Sequence, residues 1–413
     1  SLTDNERLAE LLFPNISWTP QQYEEQYPAR QLPEGARVTR FSPSPTGYLH
    51  IGGLFAAMTA RLTAKATSGV FFLRIEDTDK KREVEGGVTA IVTGLAAFGI
   101  TPDEGITGLG TESGVYGPYQ QSKRREIYQC FAKELVRQGL AYPCFCTEAE
   151  LTALREQQEA QAVNKGYYGE WAACRNLAFC EQKQAVEAGK PYTLRLRSPG
   201  DESRRILIDD LIKGKIEMPE NAQDIVLLKT DGIPTYHFAH AVDDHLMRTT
   251  HVVRGDEWIA SLPIHLQLFK CCGFKPPKYA HFAPIMKEEN GGKRKLSKRK
   301  DPEAAVSYYI EQGYPKESVI EYLLTLANSN FEDWRRANKA APQADFPFNL
   351  KKMSASGALF DLQKLNDVSK NVISLMTADE VYDRAVNWAQ QYDEALYRLL
   401  MADEAFAKGI FCI

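Results

Sequence analysis

No stretch of this 413-residue chain approaches the length of a membrane-spanning segment, which takes about 20 consecutive apolar residues. Its opening residues lack the basic-then-apolar pattern of a secretory leader. Cysteine is scarce: 8 residues are too few and too scattered to build a disulfide framework in a chain of this length. A reducing compartment is therefore expected, with the cytoplasm as the default. Excess charge of one sign is missing too, since 50 basic against 54 acidic side chains leave a formal net charge of −4. Any polynucleotide contact must then use local basic patches rather than a global field. What remains is ordinary for a globular protein, in a chain long enough for two or three domains. Composition excludes classes and selects none.

The informative stretch is Arg40-Phe-Ser-Pro-Ser-Pro-Thr-Gly-Tyr-Leu-His-Ile-Gly-Gly53. It follows a short apolar run at 36–41 that reads as a strand and precedes a periodic segment at 54–66 that reads as a helix. Pro43 and Pro45 stiffen the exit from the strand. Gly47, Gly52 and Gly53 allow backbone to approach a ligand closely. The helix N-terminus, with His50 at its mouth, offers exposed N–H groups to an anion, so the arrangement suits a phosphate. Val70 to Ile75 is a continuous apolar run, the pattern of a buried parallel strand. It ends in Glu76-Asp-Thr-Asp79, where ligands of open α/β sheets sit. Those carboxylates could bind an ammonium group or merely cap the next helix.

Elsewhere, Thr3 and Glu6 form a capping box for a short helix through Leu8, Leu11 and Leu12, broken by Pro14 and Pro20. Helices are expected at 84–98, 123–139 and 258–271. Strands are expected at 192–197, 206–211, 224–229 and 279–286, with a mainly helical chain from 301 onward.

The stretch at 40–53 resembles the first signature of the class I aminoacyl-tRNA synthetases, with His50-Ile-Gly-Gly53 in place of the HIGH tetrapeptide. Ser42 to Gly47 is similar to the glutamyl/glutaminyl branch in particular. Lys295-Leu-Ser-Lys-Arg299 resembles the second signature, KMSKS, in its bacterial glutamyl form. Lys352-Met-Ser-Ala-Ser356 looks closer to KMSKS but lacks the second lysine. Arg74 to Asp79 resembles the RIEDTD string of that branch, Tyr119 to Ser122 its GPYxQS segment, Pro234 to Asp244 its PTYHxAxxVDD segment, and Phe360 to Leu365 its FDxxKL segment. The resemblance implies an α/β fold: a Rossmann-like parallel-sheet catalytic domain with an α+β insertion, followed by a helical stem-contact region and the start of a helical C-terminal domain. The implied order is an N-terminal extension at 1–35, the first catalytic half at 36–124 and an insertion at 125–225 that embraces the tRNA acceptor end. The second half at 226–300 carries the KLSKR loop. The stem-contact region follows at 301–377, and an anticodon-binding domain begins at 378–413 and reads as incomplete.

The implied activity is ATP-dependent activation of L-glutamate to glutamyl-adenylate, with Mg²⁺, and transfer to the terminal adenosine of tRNA(Glu). Carried over by position, His50, Gly52, Lys295 and Lys298 serve catalysis. His50, Gly52, Gly53, Glu257, Leu296, Ser297 and Lys298 meet ATP. Arg40, Ser42, Ser44, Glu76, Tyr236, His240 and Arg254 meet glutamate, Glu76 at its α-amino group. His240 departs from the asparagine common in glutamyl enzymes and matches glutaminyl ones, whereas Arg254 stands where glutaminyl enzymes carry a smaller uncharged residue. A dicarboxylate in a closed pocket needs two cationic partners, which Arg40 and Arg254 supply. Glutamate is thereby favoured over glutamine. Cys144, Cys146, Tyr168 and Cys174 are similar to a structural zinc site of some bacterial members, although the spacing from Tyr168 to Cys174 departs from the pattern. Ordinary reduced cysteines fit those positions equally well. His237, His240 and His245 do not repeat a zinc spacing. A monomer with no membrane contact is expected. The alternatives are an enzyme that also charges tRNA(Gln), a glutaminyl-specific enzyme, a tRNA-modifying relative, and a catalytically idle tRNA-binding paralogue.

Overall fold

The computed structural model describes residues 1–412; Ile413, the last residue of the expected C-terminal segment, lies outside the described residues. Helix α1 (Asp4–Leu12) opens on the expected box: the Thr3 hydroxyl accepts from the Glu6 N–H and the Glu6 carboxylate accepts from the Thr3 N–H. Thr19 and Gln22 repeat the device at α2 (Pro20–Gln26). Leu8, Ala9, Leu12 and Tyr23 are buried, so this arm packs onto the body. Ion pairs fasten it, Arg30 to Glu104 at 2.6 Å and Arg248 to Glu24 at 2.8 Å.

The chain then builds β1 (Val38–Phe41), α3 (Ile51–Lys65), β2 (Val70–Leu73), α4 (Gly87–Ala97), β3 (Glu104–Gly108) and β4 (Thr111–Ser113). β1 runs parallel to β2 and β2 to β3, while β4 turns back antiparallel. Every residue of β1 is buried, which is why these strands show no alternation in sequence. Next come α5 (Arg125–Arg137), β5 (Ala141–Cys144), α6 (Glu148–Ala160), α7 (Phe179–Glu187), β6 (Thr193–Leu196), β7 (Arg205–Asp210), β8 (Gly214–Pro219) and β9 (Val226–Leu228). β6 lies antiparallel between β5 and β9, and β7 with β8 forms a hairpin.

Helix α8 (Tyr236–Leu246), β10 (His251–Gly255), α9 (Leu262–Cys271) and β11 (Lys278–Phe282) complete the nucleotide fold. β10 and β11 are parallel, and the Thr250 N–H donates to the Val38 carbonyl at 3.0 Å, which sets β10 beside β1. Strands β12 (Met286–Glu289) and β13 (Gly292–Lys295) form a hairpin that leads into the basic loop. The remainder is helical: α10 (Val306–Glu311), α11 (Lys316–Ala327), α12 (Phe331–Ala337), α13 (Leu362–Ser374), α14 (Ala378–Tyr392), α15 (Glu394–Ala402) and α16 (Glu404–Phe411).

Three elements depart from the sequence expectations for local reasons. The helix expected from 54 starts at Ile51, because His50 caps it. The helix expected from 258 begins as a 3₁₀ turn, Asp256–Ser261, and becomes α-helical at Leu262, with Pro263 in its first turn where a missing N–H costs nothing. The strand expected over 279–286 stops at Phe282; Pro284 separates it from β12. At the second KMSKS-like string, Lys352 is exposed and Met353 buried, a packing role.

The halves of the nucleotide fold meet on two adjacent carboxylates of α8. Asp243 accepts from Arg124 Nε at 2.7 Å, from the Tyr128 hydroxyl at 2.6 Å and from Gln121 Nε2 at 2.9 Å. Asp244 accepts from both Arg40, at 2.9 and 3.1 Å, and Arg74, at 3.1 and 3.3 Å. Burial alone would raise the Asp244 carboxyl, but Arg40 and Arg74 outweigh it and hold it well below the usual carboxylate range. The stability it confers is therefore present above the ordinary carboxylate pKa and lost only as pH falls through the depressed value. Asp244→Ala strands two buried cations, and removing one partner of a buried pair costs about 3–5 kcal/mol. A large drop in melting temperature is expected, and melting within a degree or two of the wild type, as for a surface substitution, would refute this role.

Candidate active site

A cavity of about 680 Å³ opens beyond the C-terminal ends of β1, β2, β10 and β11, the ligand position of open α/β sheets. Of the sequence-nominated residues, Arg40, Ser42, Ser44, His50, Gly52, Gly53, Glu76, Tyr236, Arg254, Glu257, Lys295, Leu296, Ser297 and Lys298 all line it. Residues remote in sequence thus converge on one space.

One side of it is built on the N-terminus of α3. His50 Nδ1 accepts the Gly52 N–H at 2.8 Å, so a neutral ring carries its proton on Nε2. Burial, and then Lys295, push its pKa below the ordinary histidine value. The two glycines serve packing here. A Cβ at Gly52 would lie 3.1 Å from His50 Nδ1, and one at Gly53 would lie 3.0 Å from Leu49 and 3.4 Å from Phe41. Only Gly47 of the three has a left-handed φ, +116°. Across the cavity Lys298 Nζ sits 4.2 Å from the centroid of the Tyr48 ring, a cation–π contact that docks the basic loop against the first signature. Asp301 anchors that loop from behind. It accepts from the Ser297 N–H at 2.9 Å, from Arg294 at 2.7 and 2.8 Å and from Lys287 at 3.1 Å. Arg294 above all draws its carboxyl far below the usual range. Glu257 folds over the end of β10, where a Cβ at Gly255 would come within 2.0 Å of its carboxylate.

The other side is organised by buried charge. Arg40 commits Nε and Nη2 to Asp244, which leaves Nη1 without a protein partner among the described residues. The Ser42 hydroxyl is buried with no hydrogen-bond partner among the described residues. Burial raises the Glu76 carboxyl above its ordinary value against the pull of Arg74, 3.4 Å away, so an adjacent ligand cation would relieve it. Arg254 is 6 % exposed and pairs with no carboxylate among the described residues. Its Nη1 donates to the Tyr236 hydroxyl at 3.3 Å and to His265 Nδ1 at 3.1 Å, its Nε donates to His281 at 3.0 Å, and its Nη2 has no partner. Tyr236 stacks on Trp258 with ring centroids 4.3 Å apart.

His240 requires a correction, because it does not reach the cavity. It is fully buried behind Tyr236, with Nδ1 2.8 Å from Asp244 and Nε2 2.9 Å from the Tyr279 hydroxyl. Burial drives its pKa down to about 3, so the neutral ring donates from Nδ1 to Asp244 and accepts at Nε2 from Tyr279. The sequence reading missed Arg74, Asp244, His265, His281 and Trp258 as supports of the site. Only Arg74 and Asp244 lay inside a recognised string.

Away from the cavity, Cys144, Cys146 and Cys174 bring their sulfurs within 4.8 Å of one another. The nearby tyrosine is Tyr167, not Tyr168. The Tyr167 hydroxyl lies 3.4 Å from Cys146 Sγ and accepts the Cys174 N–H at 2.9 Å. The Tyr168 hydroxyl instead donates to the Asn164 carbonyl at 2.6 Å. Successive residues in extended backbone point to opposite sides, and here only the first of the pair points inward. A hydrogen bond from Cys174, with a further one from Tyr167, draws the Cys144 thiol down to about 4, so the cluster favours a thiolate.

Residues 37–367 match the family model of class I tRNA synthetases (E and Q), catalytic domain. The chain is similar to a glutamate–tRNA ligase of Clostridium perfringens, 55% identical over 408 residues that make up 99% of this chain and 75% of that protein. It is also similar to one of Acetivibrio thermocellus, 53% identical over 96% of this chain and 73% of the relative. Among solved structures it is similar to the crystal structure of a glutamate tRNA ligase from Elizabethkingia meningosepticum in complex with its amino acid. That match has a TM-score of 0.75 and 34% identity, over 90% of this chain and 77% of the other.

Asp301→Ala should free the basic loop. Charge-assisted bonds are worth about 1.5–3 kcal/mol each, so tryptic cleavage at Lys298 to Lys300 should accelerate tenfold or more. An unchanged cleavage rate would refute the anchoring.

Proposed function

The chain belongs to the class I tRNA synthetases of the glutamate and glutamine group, and on that premise we propose that it acts as a glutamate–tRNA ligase. It activates L-glutamate with ATP and passes the glutamyl group to the terminal adenosine of tRNA(Glu). The observation that carries the choice of glutamate is Arg254, a buried cation with no carboxylate partner and an unpaired Nη2 among the described residues, at the cavity. A ligand side-chain carboxylate satisfies both the charge and the donor; a carboxamide satisfies only the donor. Arg40 Nη1 and Ser42 then serve the α-carboxylate end, and Glu76 the α-ammonium.

In the first step an oxygen of the glutamate α-carboxylate attacks the α-phosphorus of ATP, and the bond to the bridging oxygen of pyrophosphate breaks. The residues contribute position and charge stabilisation, and no covalent protein nucleophile is required. His50 donates a neutral Nε2–H toward the phosphates at the helix N-terminus, while Lys295 and Lys298 offset charge on the leaving pyrophosphate. Gly52, Gly53, Glu257, Leu296 and Ser297 frame the nucleotide, and Mg²⁺ carried in with ATP would add charge compensation there. In the second step the 2′-hydroxyl of the terminal adenosine attacks the acyl carbon and AMP leaves. The insertion at 125–225 receives the acceptor end, residues 301–377 the stem, and 378–413 begin the anticodon-binding part of a monomeric enzyme. This work belongs to the cytoplasm, and no described helix is long and apolar enough to cross a membrane.

The cysteine cluster fits a structural zinc. Tetrahedral zinc with Zn–S bonds of about 2.3 Å has S···S edges of about 3.8 Å, and Cys146 and Cys174 are 3.8 Å apart. Cys144 and the Tyr167 phenolate complete the set, and a bound cation would tie β5 to the loop before α7.

ATP–pyrophosphate exchange with total tRNA present tests the reading. Exchange is expected with glutamate and not with glutamine; exchange with glutamine would overturn the role of Arg254. Arg254→Ala should raise the glutamate KM about tenfold or more, the equivalent of one charge-assisted contact, at unchanged ATP KM. His50→Ala and Lys298→Ala should depress exchange while the protein remains folded, the loss of the His50 cap lowering stability by no more than about 0.5–2 kcal/mol. Metal analysis should find one zinc per chain, lost in Cys174→Ser and retained in Tyr168→Phe; retention in the cysteine variant would refute the ligand set.

A further inference from the structure

Arg254 is held in a manner unusual for a buried guanidinium. Such a group has only donors, and a carboxylate partner is the common solution. Here the acceptors are two imidazoles, His281 Nε2 for Nε and His265 Nδ1 for Nη1, with the neutral Tyr236 hydroxyl a longer second acceptor for Nη1 at 3.3 Å. Both rings must present lone pairs, so both must be neutral and in one particular tautomer. His265 achieves this by passing its Nε2–H to His237 Nδ1 at 2.8 Å. His281 achieves it through Asp210, whose Oδ2 lies 2.6 Å from His281 Nδ1. Asp210 is itself fixed at the end of β7, where its Oδ1 accepts the N–H groups of Ile212 and Lys213 at 2.9 and 2.8 Å. Asp210 and His281 are 2 % and 0 % exposed, and neither lines the cavity.

We propose that Asp210 and His281 are positioning residues for the side-chain carboxylate subsite. Asp210 keeps the His281 proton on Nδ1, and His281 then holds Arg254 by Nε so that Nη2 faces the ligand. Because the supporting acceptors are neutral, the arginine charge remains available to the incoming carboxylate. The arrangement also makes selection for an acidic amino acid depend on the β7–β8 hairpin, which contributes no residue to the cavity lining. This inference rests on the reading of Arg254 as the partner of the ligand's side-chain carboxylate.

Asp210→Asn is the discriminating variant. Its Oδ1 remains claimed by the Ile212 and Lys213 N–H groups, so its amide nitrogen turns to His281 Nδ1 and donates. The ring proton moves to Nε2, and two donors then face each other across the Arg254 contact. In tRNA-supported exchange the glutamate KM should rise about tenfold or more, with kcat and the ATP KM within about twofold of the wild type. Imidazole ¹⁵N shifts should report the His281 proton moving from Nδ1 to Nε2. Adding His281→Gln, whose Oε1 offers an acceptor near the Nε2 position, should recover most of the glutamate KM. Should Asp210→Asn not fold, His281→Gln against His281→Leu makes the same comparison, with the loss expected only in the leucine variant. A glutamate KM unchanged in Asp210→Asn but raised in Arg254→Ala overturns this inference alone. A glutamate KM unchanged in Arg254→Ala as well overturns the underlying reading. Parallel rises of both KM values, with lowered melting temperature, would show general damage and overturn the positioning role.

Discussion

Two buried carboxylates side by side on one helix set the terms for the rest of this molecule. Asp243 and Asp244 are fully or almost fully buried, and an ion so placed is tolerable only when neutralised and hydrogen-bonded on every side. Asp243 draws in Arg124, Gln121 and Tyr128; Asp244 draws in Arg40, Arg74, His240 and Thr249. Since the charged partners among these come from β1, from the strand end after β2 and from the segment before α5, the first half of the nucleotide fold cannot shift against the second without stranding charge. Stability and site geometry therefore share one cause.

That cause also divides labour between the two cavity arginines. Arg40 is half spent, with two of its nitrogens locked on Asp244, and is presented in a fixed orientation. Arg254 has no such partner and is held by neutral rings, so its charge is the one left for a ligand to answer. Pre-organisation of this kind removes the ordering cost from the binding event. The side built on α3 works on a different principle. Backbone donors and a helix terminus are rigid by construction, and the basic loop is tethered, by Asp301 behind it and by the Tyr48 ring in front.

Part of this was legible from residues alone. The apolar run that opens at Val70, the Pro/Gly turn before a helix, and the capping box at Thr3 each express a local rule, and each local rule held. The cavity residues were legible through resemblance, because the strings that carry them remain intact. Two positions carried over by resemblance lie elsewhere in the structure for the same physical reason. Tyr168 and Tyr167 are neighbours, and which ring turns toward the sulfurs depends on backbone direction across a loop packed by Arg195, whose guanidinium lies 4.0 Å from the Tyr167 ring centroid. His240 sits one turn from Tyr236 on the same helix face, yet Asp244 and Tyr279 hold it in the layer behind.

The sequence by itself determined the strand–turn–helix around His50, the buried strand after it and the cap at Thr3, because those depend on short-range patterns of apolar runs, glycine, proline and capping residues. The α/β class, the order of the two signature loops and most of the cavity-lining residues came through resemblance, since the strings that carry them are intact. Only the tertiary structure decided which charges are already neutralised and which are free. Asp244 meets Arg40 across 204 residues and Asp210 meets His281 across 71. Neither pairing has a local signature, since a buried ion takes its partner from whatever the fold brings within about 3 Å.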